Sequence, residues 1–323
     1  MKPYRIAIVA VVIVVAAVCS LAWPARYVVD GVSMGPGVLP GDVISTGWFS
    51  RWPGRSEPQR FEKWIVTLPD GSTGLKRVIG LPGETVSMVD GDLAIDGVRL
   101  LKNPRQLAAT GSSVAITGTL TSTEWSAPAS EVLDDAPFAT GEVSRLLLPV
   151  HDGGFAAEVS VPTGAIAGGP LRVRAEAGPF RCTWRIKAAG RYAVVVGRLD
   201  GHGVAACWPL RRATTRAENC LPVGVIETWS AARPWPAASD AEAADDTRRP
   251  ALGLVIDAPC CGTATIDRVV TWRDILYRPA ADGVTRWALD AGATFVLGDF
   301  PPGSRDSRHF GPLPAAALRH PIR

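Results

Sequence analysis

The chain has 323 residues, of which 47% are hydrophobic and 20% charged, with a formal net charge of +3. That balance excludes a disordered chain, and so small a charge makes no case for a nucleic-acid partner. Its 33 glycines and 27 prolines favour turns and short strands over long helices.

Residues 6–23 are almost uninterrupted apolar sequence. At about 1.5 Å rise per residue they nearly match a hydrocarbon core of roughly 30 Å. In lipid a helix is the way for one segment to satisfy its own backbone. Lys2 and Arg5 precede this segment, and Arg26 is the only nearby positive side chain after it. Residues 1–5 are therefore expected in the cytoplasm and the rest of the chain outside. The rival expectation is a cleaved secretory signal, with Ser20-Leu21-Ala22 as its small-x-small site. Cys19 lies inside the segment, whereas Cys182, Cys207, Cys220, Cys260 and Cys261 fall on the exported, oxidising side. One or two disulfides are compatible with that odd number, and their pairing is not legible. No C-x-x-C pair and no H-E-x-x-H occurs, so no metal is expected.

Strand-like runs follow at residues 27–29, 64–68, 75–79, 84–88, 93–95 and 98–100, separated by Pro-Asp-Gly, Gly-Leu-Pro-Gly and Asp-Gly turns. From 103 to 265 alternating runs continue between Gly/Pro-rich and polar stretches, and residues 234–250 read as an exposed loop. The expected fold class is mainly β. A single transmembrane helix (6–23) leads into an extracytoplasmic antiparallel β core in two parts (24–102 and 266–323), interrupted by a β-rich insertion (103–265).

Three clusters are candidates for chemistry. The first is Gly31-Val32-Ser33-Met34-Gly35-Pro36-Gly37-Val38-Leu39-Pro40-Gly41-Asp42; the second is Gly74-Leu75-Lys76-Arg77-Val78-Ile79-Gly80-Leu81-Pro82-Gly83-Glu84-Thr85-Val86. The third runs Gly298-Asp299-Phe300-Pro301-Pro302-Gly303-Ser304-Arg305-Asp306-Ser307-Arg308-His309-Phe310-Gly311. Gly31 to Gly35 spell G-x-S-x-G, but that elbow needs a helix directly after the serine. Gly35, Pro36, Gly37, Pro40 and Gly41 remove its support. Singly, each cluster has an ordinary explanation: a turn serine, a lysine on a strand edge, a local Asp–Arg pair.

Together and in this order, the clusters resemble bacterial type I signal peptidases. The first follows S-M-x-P-T-L-x-x-G-D at Ser33, Met34, Pro36, Gly41 and Asp42, with Gly37 in place of Thr and Val38 in place of Leu. The second follows K-R-V-x-G-x-P-G-[DE]-x-V from Lys76 to Val86. The third follows G-D-N-x-x-x-S-x-D-S-R-x-x-G at Gly298, Asp299, Ser304, Asp306, Ser307, Arg308 and Gly311, with Phe300 where Asn is usual. The motifs cover about a fifth of the chain, and the insertion carries none of them.

The resemblance implies Ser33 as nucleophile and Lys76 as general base, working through an acyl-enzyme. A Ser–Lys pair functions only if burial keeps the lysine neutral at working pH. Ser304 is expected to orient Lys76, and Asp299, Asp306 and Arg308 to build the polar scaffold. Val29, Gly31, Met34, Val38 and Leu75 are expected to line a pocket for a small side chain. Gly31 also stands where some relatives carry a serine that gives a second oxyanion donor. The implied partners are exported preproteins with small residues at −1 and −3, together with membrane lipid; no cofactor and no nucleic acid are implied. The implied location is the bacterial inner membrane, single-pass, with the catalytic part on the extracytoplasmic side. Two alternatives stand beside this reading: a pilin-type processing peptidase of the same chemistry, and an inactive membrane-tethered binding protein.

Overall fold

A computed structural model describes residues 11–15, 19, 23–47, 57–128, 132–134, 144, 146–210, 226–235, 251–257 and 263–322. The protein is mainly β, built from antiparallel sheets with few and short helices. Residues 11–15 are helical and their valine and isoleucine side chains are exposed. Among the described residues no helix is long and apolar enough to cross a membrane. Most of residues 6–23 lie outside the description, as do Cys220, Cys260 and Cys261. Cys19, Cys182 and Cys207 are free thiols.

The strands of the first part are β1 (Arg26–Val28), β2 (Val43–Ser45), β3 (Lys63–Thr67), β4 (Thr73–Gly80), β5 (Thr85–Val89), β6 (Asp92–Ile95) and β7 (Val98–Arg99). Helix α1 (Pro104–Thr110) follows, started by a capping box between Asn103 and Gln106. The Asp90-Gly91 and Asp96-Gly97 turns take positive φ at both residues, 53° and 89°, then 52° and 82°. Those values suit the two-residue hairpins that join β5 to β6 and β6 to β7.

The strands of the middle of the chain are β8 (Ser112–Val114), β9 (Thr119–Leu120), β10 (Glu124–Ala127), β11 (Gly153–Val161), β12 (Leu171–Ala177), β13 (Phe180–Ile186), β14 (Gly190–Leu199), β15 (His202–Leu210), β16 (Ala231–Pro234), β17 (Leu252–Asp257) and β18 (Thr265–Arg273). They form two sheets, ordered β13-β12-β17-β10-β9 and β16-β15-β14-β11-β18-β8. The last strands are β19 (Arg286–Ala288), β20 (Ala293–Leu297), β21 (Leu313–Pro314) and β22 (Leu318–Pro321), with a one-turn helix α2 (Ser307–Phe310). They complete the sheets β19-β5-β6-β7 and β21-β20-β4-β3-β22. The chain therefore leaves the first sheets after β7, makes the two central sheets, and returns.

Side-chain alternation explains the layering. Along β11 and β14, Phe155, Ala157, Val194 and Val196 face the five-stranded central sheet and share its core. Their neighbours Ala156, Ala193 and Val195 point the other way, onto Leu107 of α1 and Trp208. A strand buried on both faces reads as a continuous apolar run, as residues 193–196 do. Each fully buried valine or leucine contributes ~1.5–3 kcal/mol of transfer free energy. The indole of Trp272 lies across the Gly154–Gly197 pair, where a Cβ on either glycine would come within 3 Å of the ring.

A buried polar network joins the two halves. Lys102, just after β7, donates to Asp200 at 2.6 Å and meets Asp274 at 2.7 Å. Thr110 of α1 donates to Asp274, and the Asp152 carboxylate accepts the Asp200 N–H. Asp92, Asp152 and Asp200 place carboxylate oxygens within 4.8 Å of one another. Burial, with the neighbouring acids, pushes the carboxyls of Asp92 and Asp152 above the usual range. Asp200 also moves up, chiefly through burial, against the pull of Lys102. The cations of this cluster are the Lys102 ammonium and the guanidiniums of Arg99 and Arg198.

Candidate active site

Ser33 sits in the loop between β1 and β2, and the base of that loop is pinned. Val29 donates to the Asp42 carbonyl at 2.9 Å, and Gly41 donates to Val29 at 2.7 Å. The Asp42 carboxylate accepts the Leu39 N–H at 2.8 Å, which accounts locally for the Gly41-Asp42 pair. Within the loop Gly35 bonds Val32 and Val38 bonds Met34, so the chain coils tightly around Ser33. The Ser33 N–H has no acceptor among the described residues, and its carbonyl accepts the Phe300 N–H at 3.0 Å.

Lys76 lies on β4, opposite Trp64 of β3. It is 4% exposed, and its ammonium donates to the Ser304 hydroxyl at 3.2 Å. Burial is the largest influence on it and lowers its pKa from 10.5 to about 8. Asp306 pulls the value up, Arg308 pushes it down, and Asp299 pulls it up again. The next residue, Arg77, emerges on the other face of β4 and is buried. It forms a two-pronged ion pair with Asp299, both contacts at 2.6 Å, and also bonds the Phe61 and Ala109 carbonyls.

The third cluster organises itself around Asp306 and Arg308. The Asp306 carboxylate caps α2 at the Arg308 N–H, accepts the Gly298 N–H at 3.0 Å, and takes two guanidinium bonds from Arg308 at 2.8 Å. Burial alone would raise its pKa, but these bonds, with one from Ser304, hold it below the usual carboxylate range. The same guanidinium donates to the Pro301, Ser304 and Arg278 carbonyls. Arg308 therefore staples the loop that carries Ser304. With its proton given to Asp306, the Ser304 oxygen is free to accept from Lys76.

Gly298 is where the clusters meet. A Cβ there would lie 2.2 Å from Ser304 Oγ and 2.4 Å from the Ser33 carbonyl oxygen, so only glycine fits. Ser33, Lys76, Ser304, Asp306 and Arg308 thus converge at one place, while Asp299 is turned away onto Arg77. No hydrogen bond joins Ser33 to Lys76 among the described groups, the lysine contact being to Ser304. Catalytic hydrogen bonds are often long before substrate arrives.

Of the five expected pocket residues, Met34, Val38 and Leu75 form one buried cluster with Ile65, and Val29 packs against it. Tyr27, Ile44 and Ile322 complete that wall. Gly31 is exposed and has open space where a side chain would project.

A family model described as "Signal peptidase, peptidase S26" matches residues 3–145, a stretch that includes Ser33 and Lys76 but ends before Ser304. The chain is similar to type I signal peptidases by this match as well as by its three motifs. Signal peptidase I V of Bacillus subtilis (strain 168) is 37% identical over 93 residues, 27% of this chain and 53% of that protein. The chain thus spans about half the length of the curated relative it matches.

Proposed function

We propose that this protein is a membrane-anchored serine endopeptidase that removes signal peptides from exported preproteins. The observation that carries this reading is Lys76: a buried lysine with pKa about 8, hydrogen-bonded to Ser304, on the strand beside the Ser33 loop. An ammonium is of no use as a base; a lysine that is half neutral near pH 8 is.

In this mechanism Ser33 Oγ attacks the scissile carbonyl while Lys76 Nζ takes its proton. The tetrahedral oxyanion is met by the free Ser33 N–H. Lys76 then hands the proton to the leaving amine, and an ester on Ser33 remains. A water deprotonated by Lys76 hydrolyses that ester and restores the hydroxyl. Ser304 keeps one lysine hydrogen occupied, which turns the lone pair towards Ser33. The apolar wall of Met34, Val38, Leu75 and Val29 suits a small side chain at −1 and offers nothing to a charged one. Residues 6–23 would hold this site near the outer surface of the membrane, where a translocated signal peptide presents its cleavage point.

The test is cleavage of a preprotein with an Ala-x-Ala site by the detergent-solubilised chain, beside Ser33→Ala and Lys76→Ala. Cutting after the −1 alanine by the wild type alone supports the dyad. Cutting that survives Lys76→Ala would sink the mechanism, and an inert wild type would leave the pilin-type or inactive readings.

A further inference from the structure

Phe300 departs from the motif it sits in, and its position gives that departure a purpose. Its side chain is 3% exposed, two residues from Gly298, where Ser33 and Ser304 meet. Its N–H holds the Ser33 carbonyl at 3.0 Å. Its ring presses on Gly303: a Cβ there would fall 2.7 Å and 2.8 Å from Cδ1 and Cε1 of the ring. The same point is 2.8 Å from a methyl of Val32, the residue before Ser33. Gly303 is thus kept bare so that the ring and Val32 can close over it. The Phe300 N–H also closes no turn within its own loop; its acceptor is on the other side of the site.

We infer that Phe300 is a positioning residue that clamps the Val32–Ser33 backbone onto the loop carrying Ser304. The clamp has two parts, a backbone bond to Ser33 and an apolar contact with Val32 and Gly303. Together they fix the distance between the Ser33 and Ser304 loops, and Ser304 in turn holds Lys76. The apolar ring fills the space beside Gly303 and the Val32 methyl.

The inference rests on the peptidase reading for its kinetic consequence but not for its structural one, so two measurements are paired. Phe300→Ala removes the ring and keeps the backbone bond; Phe300→Leu keeps most of the apolar contact. On an Ala-x-Ala preprotein, Phe300→Ala should lose ~10²-fold in kcat, the size expected for a misplacement of about 1 Å, with KM within a factor of two. The midpoint of the pH profile should stay where Lys76 sets it, and Phe300→Leu should recover most of the rate. Amide hydrogen exchange on the same full-length proteins should show faster uptake across residues 29–41 in Phe300→Ala and not in Phe300→Leu. Val32→Ala should reproduce the exchange change and add little to Phe300→Ala in the double variant, because the two truncations break one contact. Unchanged exchange in the Ser33 loop overturns the clamp, whether or not the wild type cuts anything. Faster exchange with unchanged kcat overturns the positioning role. An inert wild type would count against the peptidase reading, and exchange would still decide the clamp.

Discussion

In the proposed mechanism, the pH dependence of cleavage is the sharpest consequence of the burial of Lys76. Lys76 moves from 10.5 to about 8, mainly through burial. At pH 7 about 10% of it is then neutral, against roughly 0.03% for an unshifted lysine, a gain of ~300-fold in usable base. The rising limb of kcat/KM should therefore have its midpoint near pH 8, measured on an Ala-x-Ala peptide from pH 6 to 10 in detergent. Ser304→Ala separates orientation from ionisation. Its hydroxyl is not among the groups that set the lysine pKa, whereas it is the hydrogen-bond partner of the ammonium. The plateau above pH 9 should drop by ~10²-fold while the midpoint moves by less than about half a unit. A wild-type midpoint near 10, or a Ser304→Ala plateau equal to the wild type, would refute the reasoning.

Four other outcomes follow from the same contacts. Lys76→Met should raise Tm at pH 7, since the folded state resists the charge that the unfolded chain carries freely. That penalty is up to ~3 kcal/mol, and it disappears as pH rises from about 8 to 10.5, so the two melting curves should converge there. Gly298→Ala should abolish cleavage and lower Tm by several degrees, because its methyl would enter both Ser304 and the Ser33 carbonyl. Gly31→Ser should fold normally, there being open space at that Cβ, and should raise kcat ~10-fold if a second oxyanion donor is what the site lacks. Acidification from pH 8 to pH 6 should raise Tm, because Asp92, Asp152 and Asp200 bind protons more tightly folded than unfolded.

Local chemistry was legible in the sequence and remote pairing was not. The Asp-Gly turns after Val89 and Ile95 announce their hairpins because they need positive φ at adjacent residues. The strands expected at 64–68 and 75–79 occur as Lys63–Thr67 and Thr73–Gly80. Strand β18, Thr265–Arg273, joins the central six-stranded sheet, beyond the 265 boundary drawn from composition, since pairing with β11 leaves no mark on composition. The motifs named Ser33, Lys76, Ser304, Asp306 and Arg308 as a group. They could not say that Arg308 staples three carbonyls, or that Asp299 serves Arg77. Lys102, Asp200 and Asp274 had no signal at all: each is an ordinary charged residue in its own neighbourhood, and only the return of the chain brings them together.

The placement of charge explains how so polar a cluster can surround a lysine whose pKa is lowered to about 8. Two guanidiniums and two carboxylates lie near Lys76, but they are paired off: Arg77 with Asp299, Arg308 with Asp306. Asp306 and Arg308 act on Lys76 in opposite directions and partly offset each other, Asp299 adds a smaller upward pull, and burial dominates. Breaking either pair by removing one partner would leave a buried charge, which is strongly unfavourable in its own right. The pairs serve chiefly as struts. Arg77–Asp299 ties β4 to the start of the third motif, and Asp306–Arg308 shapes the loop that presents Ser304. Lys76 is tuned by what excludes water, and the ion pairs hold that enclosure in shape.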